Sequence, residues 1–200
     1  LQPNRYYRAM MTKRVSAGVT SEMIFDTPYS IVYFITKYPT LEVVAKGRKA
    51  TVTGDWNAAI FTSKAQDAAV TSYDMTNVVQ LSEQPVAANE NALFFTAAPI
   101  EGSANVVANG VCDSLLIHTR SEFASAKAFT ARKAVLVLDD AKAGEWNDVF
   151  MPFSAPLPYG MQGRVVNTIE RSRLTVSNVR EAEAMKPLLY LADREGLNTI

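Results

Sequence analysis

Residues able to do acid–base, nucleophilic or metal chemistry are few in this chain. Its one histidine, His118, and its one cysteine, Cys112, fall six residues apart in the run VCDSLLIHTR. A thiol–imidazole pair needs its side chains within hydrogen-bond reach. This run reads as an apolar strand, and an extended chain sets the two residues roughly 20 Å apart. The spacing therefore argues against a Cys–His pair, and Cys112 reads as a small buried hydrophobe. His118 reads as a half-buried or surface strand residue with no partner in sight for a triad. The sequence carries no His-Glu-x-x-His, no glycine-rich phosphate loop and no nucleophile elbow. No catalytic residue is assigned, and a lone cysteine forms no internal disulfide.

Carboxylates and tryptophans supply the remaining candidates. DDAKAGEWND gathers Asp139, Asp140, Glu145 and Asp148 in one expected loop. Loop carboxylates are calcium ligands, so these four are the candidate metal residues and calcium the candidate ion. The alternating acid spacing of a calcium loop is absent, and a solvated acidic turn is the competing reading. The two tryptophans stand in near-identical settings, Gly54-Asp55-Trp56-Asn57 and Gly144-Glu145-Trp146-Asn147. An exposed indole offers a flat apolar face and a polar N–H on which a sugar can stack. Trp56, Asn57, Trp146 and Asn147 are therefore the candidate ligand-binding residues. The competing reading is scaffold: a ring buried over the end of a core, a glycine at positive φ, an asparagine at a bend.

These residues must be positioned by strands. Runs of about five residues rich in Val, Leu, Phe and Thr recur along the chain, separated by turn signals such as DTPYS, KYPT and KGRK. That rhythm predicts an all-β architecture of β-sandwich units. ATVTGDWNAAIFT reads as a strand pair. The best helical segment, REAEAMKPLLYLA, is interrupted by Pro187; it predicts a short helical turn over Arg180–Met185 leading to a strand at Leu188. YSIVYFI and NALFFTA are apolar at nearly every position, which predicts strands buried on both faces or covering an interface.

The chain also repeats itself. Arg48-Lys49-Ala50 matches Arg132-Lys133-Ala134 ahead of the two tryptophans, and VVQLSEQPVAANENALFFTA aligns without a gap on LTVSNVREAEAMKPLLYLAD. Three matches in order predict an internal duplication, with a first β-rich unit over 1–110 and a second over 111–200, packed together rather than strung on a linker. Twenty acidic and twenty basic residues cancel, so the charge balance gives no argument for nucleic acid or anionic membrane as a partner. No apolar run approaches the length of a membrane span. The opening residue, Leu1, is read as the start of a trimmed or mature chain.

CDSLLIHTRSEFASAKAFTARKA followed by GEWNDVFMPFSAPLPYG resembles a pattern found in secreted and surface proteins of Bacteroidetes. Asp113, Phe123, Ala128, Phe129, Thr130, Ala131, Ala134, Trp146, Pro152, Phe153 and Gly160 carry the resemblance, over about fifty of the 200 residues. It implies a β-sandwich module exported to the cell surface, with no catalytic residues to carry over. The expected function is a non-enzymatic extracellular module for structure or adhesion that contacts a cell-surface polysaccharide or a host protein. The alternatives are a carbohydrate-active hydrolase or ancillary polysaccharide-binding domain, and a self-assembling structural subunit.

Overall fold

The structure is a computed structural model. It describes the backbone of residues 6–10, 13–17, 20–24, 31–35, 40–171, 173–192 and 196–200, and the side chains of 40–171, 173–192 and 198–200. The chain divides into two compact units, Leu1–Thr40 and Leu41–Ile200. In the first, β1 (Tyr6–Met10), β2 (Lys13–Ala17), β3 (Thr20–Ile24) and β4 (Ile31–Ile35) form two antiparallel pairs, β1 with β4 and β2 with β3. The side chains of YSIVYFI lie outside the described residues.

The second unit opens with an antiparallel hairpin of β5 (Leu41–Lys46) and β6 (Lys49–Asp55). KGRK turns the hairpin as its composition predicts, with Gly47 at φ +59°. Alternation along β6 buries Ala50 and Val52 and exposes Lys49, Thr51 and Thr53. The chain then forms α1 (Ala58–Lys64) where a strand was expected. The helix prevails because Asn57 caps it: its Oδ1 accepts the Ile60 N–H at 3.0 Å, and helix-favouring Ala-Ala follows at once. Phe61 on this helix is fully buried and edge-on to Tyr73 and Phe94.

Successive rungs follow in parallel. β7 (Ser72–Val79) pairs with β6, β8 (Leu93–Thr96) with β7, and β9 (Val106–Ala108) with β8. β10 (Val111–Cys112) folds back on β9, β11 (Leu115–His118) joins a different sheet, and β12 (Thr130–Ala131) returns parallel to β10. The seven-stranded order is β12-β10-β9-β8-β7-β6-β5. Both faces of this sheet are covered. Tyr73, Met75, Phe94 and Val106 pack with Leu41, Val52 and Phe61 on one side, while Leu93, Phe95 and Val107 enter a second cluster with Leu136, Leu138, Met151 and Leu188. NALFFTA is buried on both faces, as its unbroken apolar run predicts.

The rest of the second core is built by β13 (Ala134–Ala141), β14 (Trp146–Phe150), β15 (Ala155–Pro156), β16 (Gln162–Glu170), β17 (Arg173–Val179), β18 (Glu181–Ala182), β19 (Pro187–Leu191) and β20 (Gly196–Thr199). β13 lies between β11 and β20, β15 pairs with β18, and the fourth group has the order β14-β19-β16-β17. Among the described residues β11 has one edge without a strand, and two asparagine side chains complete it. Asn105 accepts from Leu116 N at 2.7 Å and donates to Leu116 O at 2.9 Å. Asn91 accepts from His118 N at 2.6 Å and donates to His118 O at 2.8 Å. Each primary amide thus replaces a neighbouring peptide group and satisfies backbone that would otherwise be stranded. The opposite edge pairs with β13, as Leu115 N donates to Lys133 O and Thr119 N to Val137 O.

The all-β expectation holds. The sandwich pair gives way to solenoid-like stacking, in which parallel rungs each bury against the next. The anticipated boundary between 110 and 111 falls in the turn of the β9–β10 hairpin. The residues after the two tryptophans take different structures, α1 after Trp56 and β14 from Trp146. Arg180–Met185 is not a helical turn. It contains β18 and a reversal with Met185 at φ +59°, and the following strand begins at Pro187, where a missing N–H is tolerated.

Candidate functional site

The four-stranded group β14-β19-β16-β17 presents one face to the core and one to solvent, and strict alternation decides which residues go where. Val149, Leu188, Tyr190 and Val179 turn inward to the second core. Outward, Trp146 is in register with Leu191 and, across it, Gln162; Asp148, Leu189, Arg164 and Asn178 form the next row. Trp146 is 39 % exposed. The Arg164 guanidinium lies 4.3 Å from its ring centroid, reaching diagonally across β19. Arg164 Nε also donates to Asn178 Oδ1 at 3.1 Å.

This face runs into a cleft of about 600 Å³ between the Leu157–Gly163 segment and Asn178–Arg180. Gln162 and Asn178 belong to both the sheet face and the cleft wall. Tyr159 stands wholly in solvent at its rim, and Arg180 is exposed beside it. The loop is shaped by a turn, with Met161 N donating to Pro158 O at 3.1 Å, and by a close approach at Gly163. A Cβ on Gly163 would overlap Leu157 Cδ1 and press on Leu188 and Val179, so glycine lets the loop lie down on β16. An aromatic ring, a stacked guanidinium, two primary amides and an exposed tyrosine on a rigid sheet can bind a polar, flat-faced ligand. PLPYGMQG, with its two prolines, two glycines and tyrosine, is the sequence signal that marks this loop.

The structure gives the four sequence candidates for ligand contact different local settings. Trp56 is half-buried, 5.5 Å from Phe61, and its indole N–H donates to Glu83 Oε1 at 3.2 Å. Asn57 caps α1. Asn147 closes the Lys142–Glu145 turn, accepting from Lys142 N and donating to the carbonyls of Lys142 and Glu145. Trp146 is the more exposed of the two tryptophans. Gly54 and Gly144 do take positive φ, +104° and +70°.

The acidic stretch does not assemble as a calcium loop. Among the described residues no group of three or more His, Cys, Asp or Glu has metal-binding geometry. A β-bulge in β13 at Asp139–Asp140 separates the two acids: Asp140 takes φ +56° and is exposed, while Asp139 is buried. The Asp139 carboxylate is already engaged, by His118 Nδ1 at 3.1 Å, Arg120 N at 3.3 Å and Thr119 Oγ1 at 3.4 Å. Burial pushes this carboxyl up, but the His118 hydrogen bond, the Arg120 N–H and the charges of both residues outweigh it and hold it below the ordinary 3.8. Arg120 in turn grips Glu90 through Nε at 2.8 Å and Nη2 at 2.5 Å, which holds Glu90 low as well. Glu145 is exposed near Lys142, and Asp148 sits on the outer face of β14. His118 therefore has the carboxylate partner that the sequence did not reveal, in a knot that ties β11 to β13. Cys112 is fully buried with Sγ toward Ser114 O, and burial pushes its thiol up.

No protein-family model, curated protein or solved structure matches the chain.

Proposed function

We propose that the chain is a non-enzymatic, glycan-contacting module of a bacterial surface protein, of the Bacteroidetes type that its FTA and W-x-x-x-x-x-P-F elements resemble. The observation that carries this reading is the half-exposed Trp146 ring, backed by Arg164 and continuous with the cleft of Tyr159, Gln162 and Asn178. Sugar rings present a C–H face to an aromatic side chain and hydroxyls to amides and guanidinium, and this surface offers each on a sheet that needs no reordering to bind. Extracellular placement and the choice of polysaccharide over a host protein are part of the proposal. Intrinsic fluorescence tests it, since Trp56 and Trp146 are the only tryptophans. In Trp56→Phe, a soluble polysaccharide that binds shifts the emission of Trp146 and shields it from acrylamide. In Trp146→Phe, the remaining Trp56 signal stays unchanged. A broad panel of polysaccharides that leaves Trp146 emission and quenching untouched rejects the reading.

A second reading, a self-assembling structural subunit, has one observation of its own. The β16–β17 hairpin carries the cross-strand pair Ile169 and Leu174 in solvent, 77 % and 53 % exposed, and β17 is the last strand of its sheet. An apolar pair beside a free edge is a template for association, and sedimentation at rising concentration tests it.

A further inference from the structure

The seven arginines whose side chains are described fall into two sets. Arg48, Arg120 and Arg132 each pair with a carboxylate, on Glu122, Glu90 and Asp113. Arg164, Arg171, Arg173 and Arg180 pair with none among the described residues; Arg171 and Arg173 stand at the tip of the β16–β17 hairpin, while Arg164 and Arg180 stand at the cleft and its adjoining sheet face. In a chain of balanced charge, this leaves guanidinium donors unspent where the aromatic platform lies. Arg164 is also engaged on two sides. One side of its guanidinium rests against Trp146, and its Nε is committed to Asn178, so its two Nη nitrogens have no partner among the described residues. A long side chain normally loses rotamer entropy when a ligand fixes it. Stacking and the Asn178 bond have met part of that cost before any ligand arrives.

We propose that the site is selective for glycans bearing hexuronate carboxylates, with Arg164 reading the carboxylate and Arg180 adding a second contact from the cleft wall; this rests on the glycan reading above. A carboxylate is planar and accepts two parallel N–H bonds from the paired Nη edge, a geometry that lysine cannot reproduce. Neither nearby acid, Asp148 or Glu181, forms an ion pair with these arginines among the described residues. Asp148 shares a row with Arg164 but has the Leu189 strand between them, which puts their backbones roughly 10 Å apart, about one Debye length at physiological salt. Glu181 follows Arg180 but belongs to β18, in register with Pro156.

The test uses the Trp56→Phe chain, whose emission reports Trp146, titrated at about 0.15 M salt to suppress non-specific charge attraction. The probes are polygalacturonate, the same polymer methyl-esterified, and dextran sulfate. The expected result is binding of polygalacturonate at least about tenfold tighter than its ester, the loss of one charged hydrogen-bonded pair. Arg164→Lys, which keeps the charge and loses the fork, weakens the acidic polymer more than the ester, so the ratio of the two affinities falls toward one. Arg180→Gln weakens the acidic polymer less. Thermal melting checks that each variant is folded. Equal affinity for acid and ester overturns the selectivity and leaves the glycan reading standing. Dextran sulfate binding as tightly as polygalacturonate, with no effect of Arg164→Lys, overturns it in favour of a general polyanion surface. No change with these polymers or with neutral ones overturns both.

Discussion

Replacing Asn91 with alanine tests whether side-chain amides hold the two cores in register. Asn91 is fully buried and every hydrogen-bonding group on its side chain is used. Its N–H donates to Asn89 Oδ1 at 2.8 Å, its Oδ1 accepts from His118 N at 2.6 Å, and its Nδ2 donates to His118 O at 2.8 Å and Ser121 O at 2.6 Å. Alanine strands the His118 N–H, at about 1–3 kcal/mol for a buried unsatisfied donor. The two carbonyls lose one donor each; His118 O retains the Ser121 N–H at 3.3 Å, so their share is smaller. The expected loss is about 3 kcal/mol, or a Tm lower by roughly 6–12 °C for a chain of this size. Circular dichroism melts measure the drop, and amide exchange at His118 measures its local cause. Asn91→Asp sharpens the argument, because it keeps the shape but faces a carboxylate oxygen toward two carbonyl oxygens. At neutral pH it is at least as damaging as alanine. A Tm change under about 2 °C for both variants would refute the asparagine bridge as a source of stability.

The Asp139 knot gives a pH dependence with a definite sign. A carboxyl held below its ordinary value in the folded state contributes stability that is fully present above the unfolded value near 3.8 and is lost as pH falls through the lower folded value. Melts from pH 6 down to pH 2 therefore show a stability decrement confined to the acid side of about pH 4, and Asp139→Asn flattens it; an unaltered acid limb in that variant contradicts the assignment. At the hairpin tip, Ile169→Ser with Leu174→Ser removes any concentration-dependent sedimentation while leaving Tm within a few degrees, since both side chains are already exposed in the monomer. Persisting assembly in the double variant sends the self-association to another surface.

Much of the strand content is legible because it depends on local signals. YSIVYFI and NALFFTA are read as strands and each contains one, and the strand expected at Leu188 is β19. The features that escape are set by partners distant in sequence. Parallel rather than antiparallel pairing of β6 through β9 depends on where each chain segment returns, and composition does not encode that. The helix at Ala58–Lys64 is missed because Ile-Phe-Thr reads as strand, although Asn57 followed by two alanines is a cap signal that can be weighed more heavily. Asn91 and Asn105 give no sign of burial, because polar residues in a loop pattern ordinarily face water. The His118–Asp139 contact spans 21 residues and needs the β-bulge to turn one acid of an adjacent pair inward. The unusual feature visible beforehand is an Asp-Asp pair extending the apolar strand VLVL without a turn residue.

The repeated Gly-x-Trp-Asn element shows why likeness in sequence does not distribute a function evenly. Both copies place glycine at positive φ, Gly54 within β6 and Gly144 in the turn before β14, and use asparagine to bind nearby backbone, so those two positions answer to local geometry in either setting. The environment of each tryptophan is decided by the segment C-terminal to it. After Trp56 the chain coils into α1, which brings Phe61 back against the indole and leaves its N–H to Glu83. After Trp146 the chain runs straight, and strand alternation sends residues 146, 148 and 150 to the solvent side of a sheet whose other face is the core. Helix and strand thus give the same side chain different neighbours. Scaffold is the stronger reading for the first tryptophan, because its ring packs on Phe61 and its N–H is already taken by Glu83. For the second, the neighbour is a guanidinium with donors to spare, and that difference is what makes Trp146 the residue on which the ligand question turns.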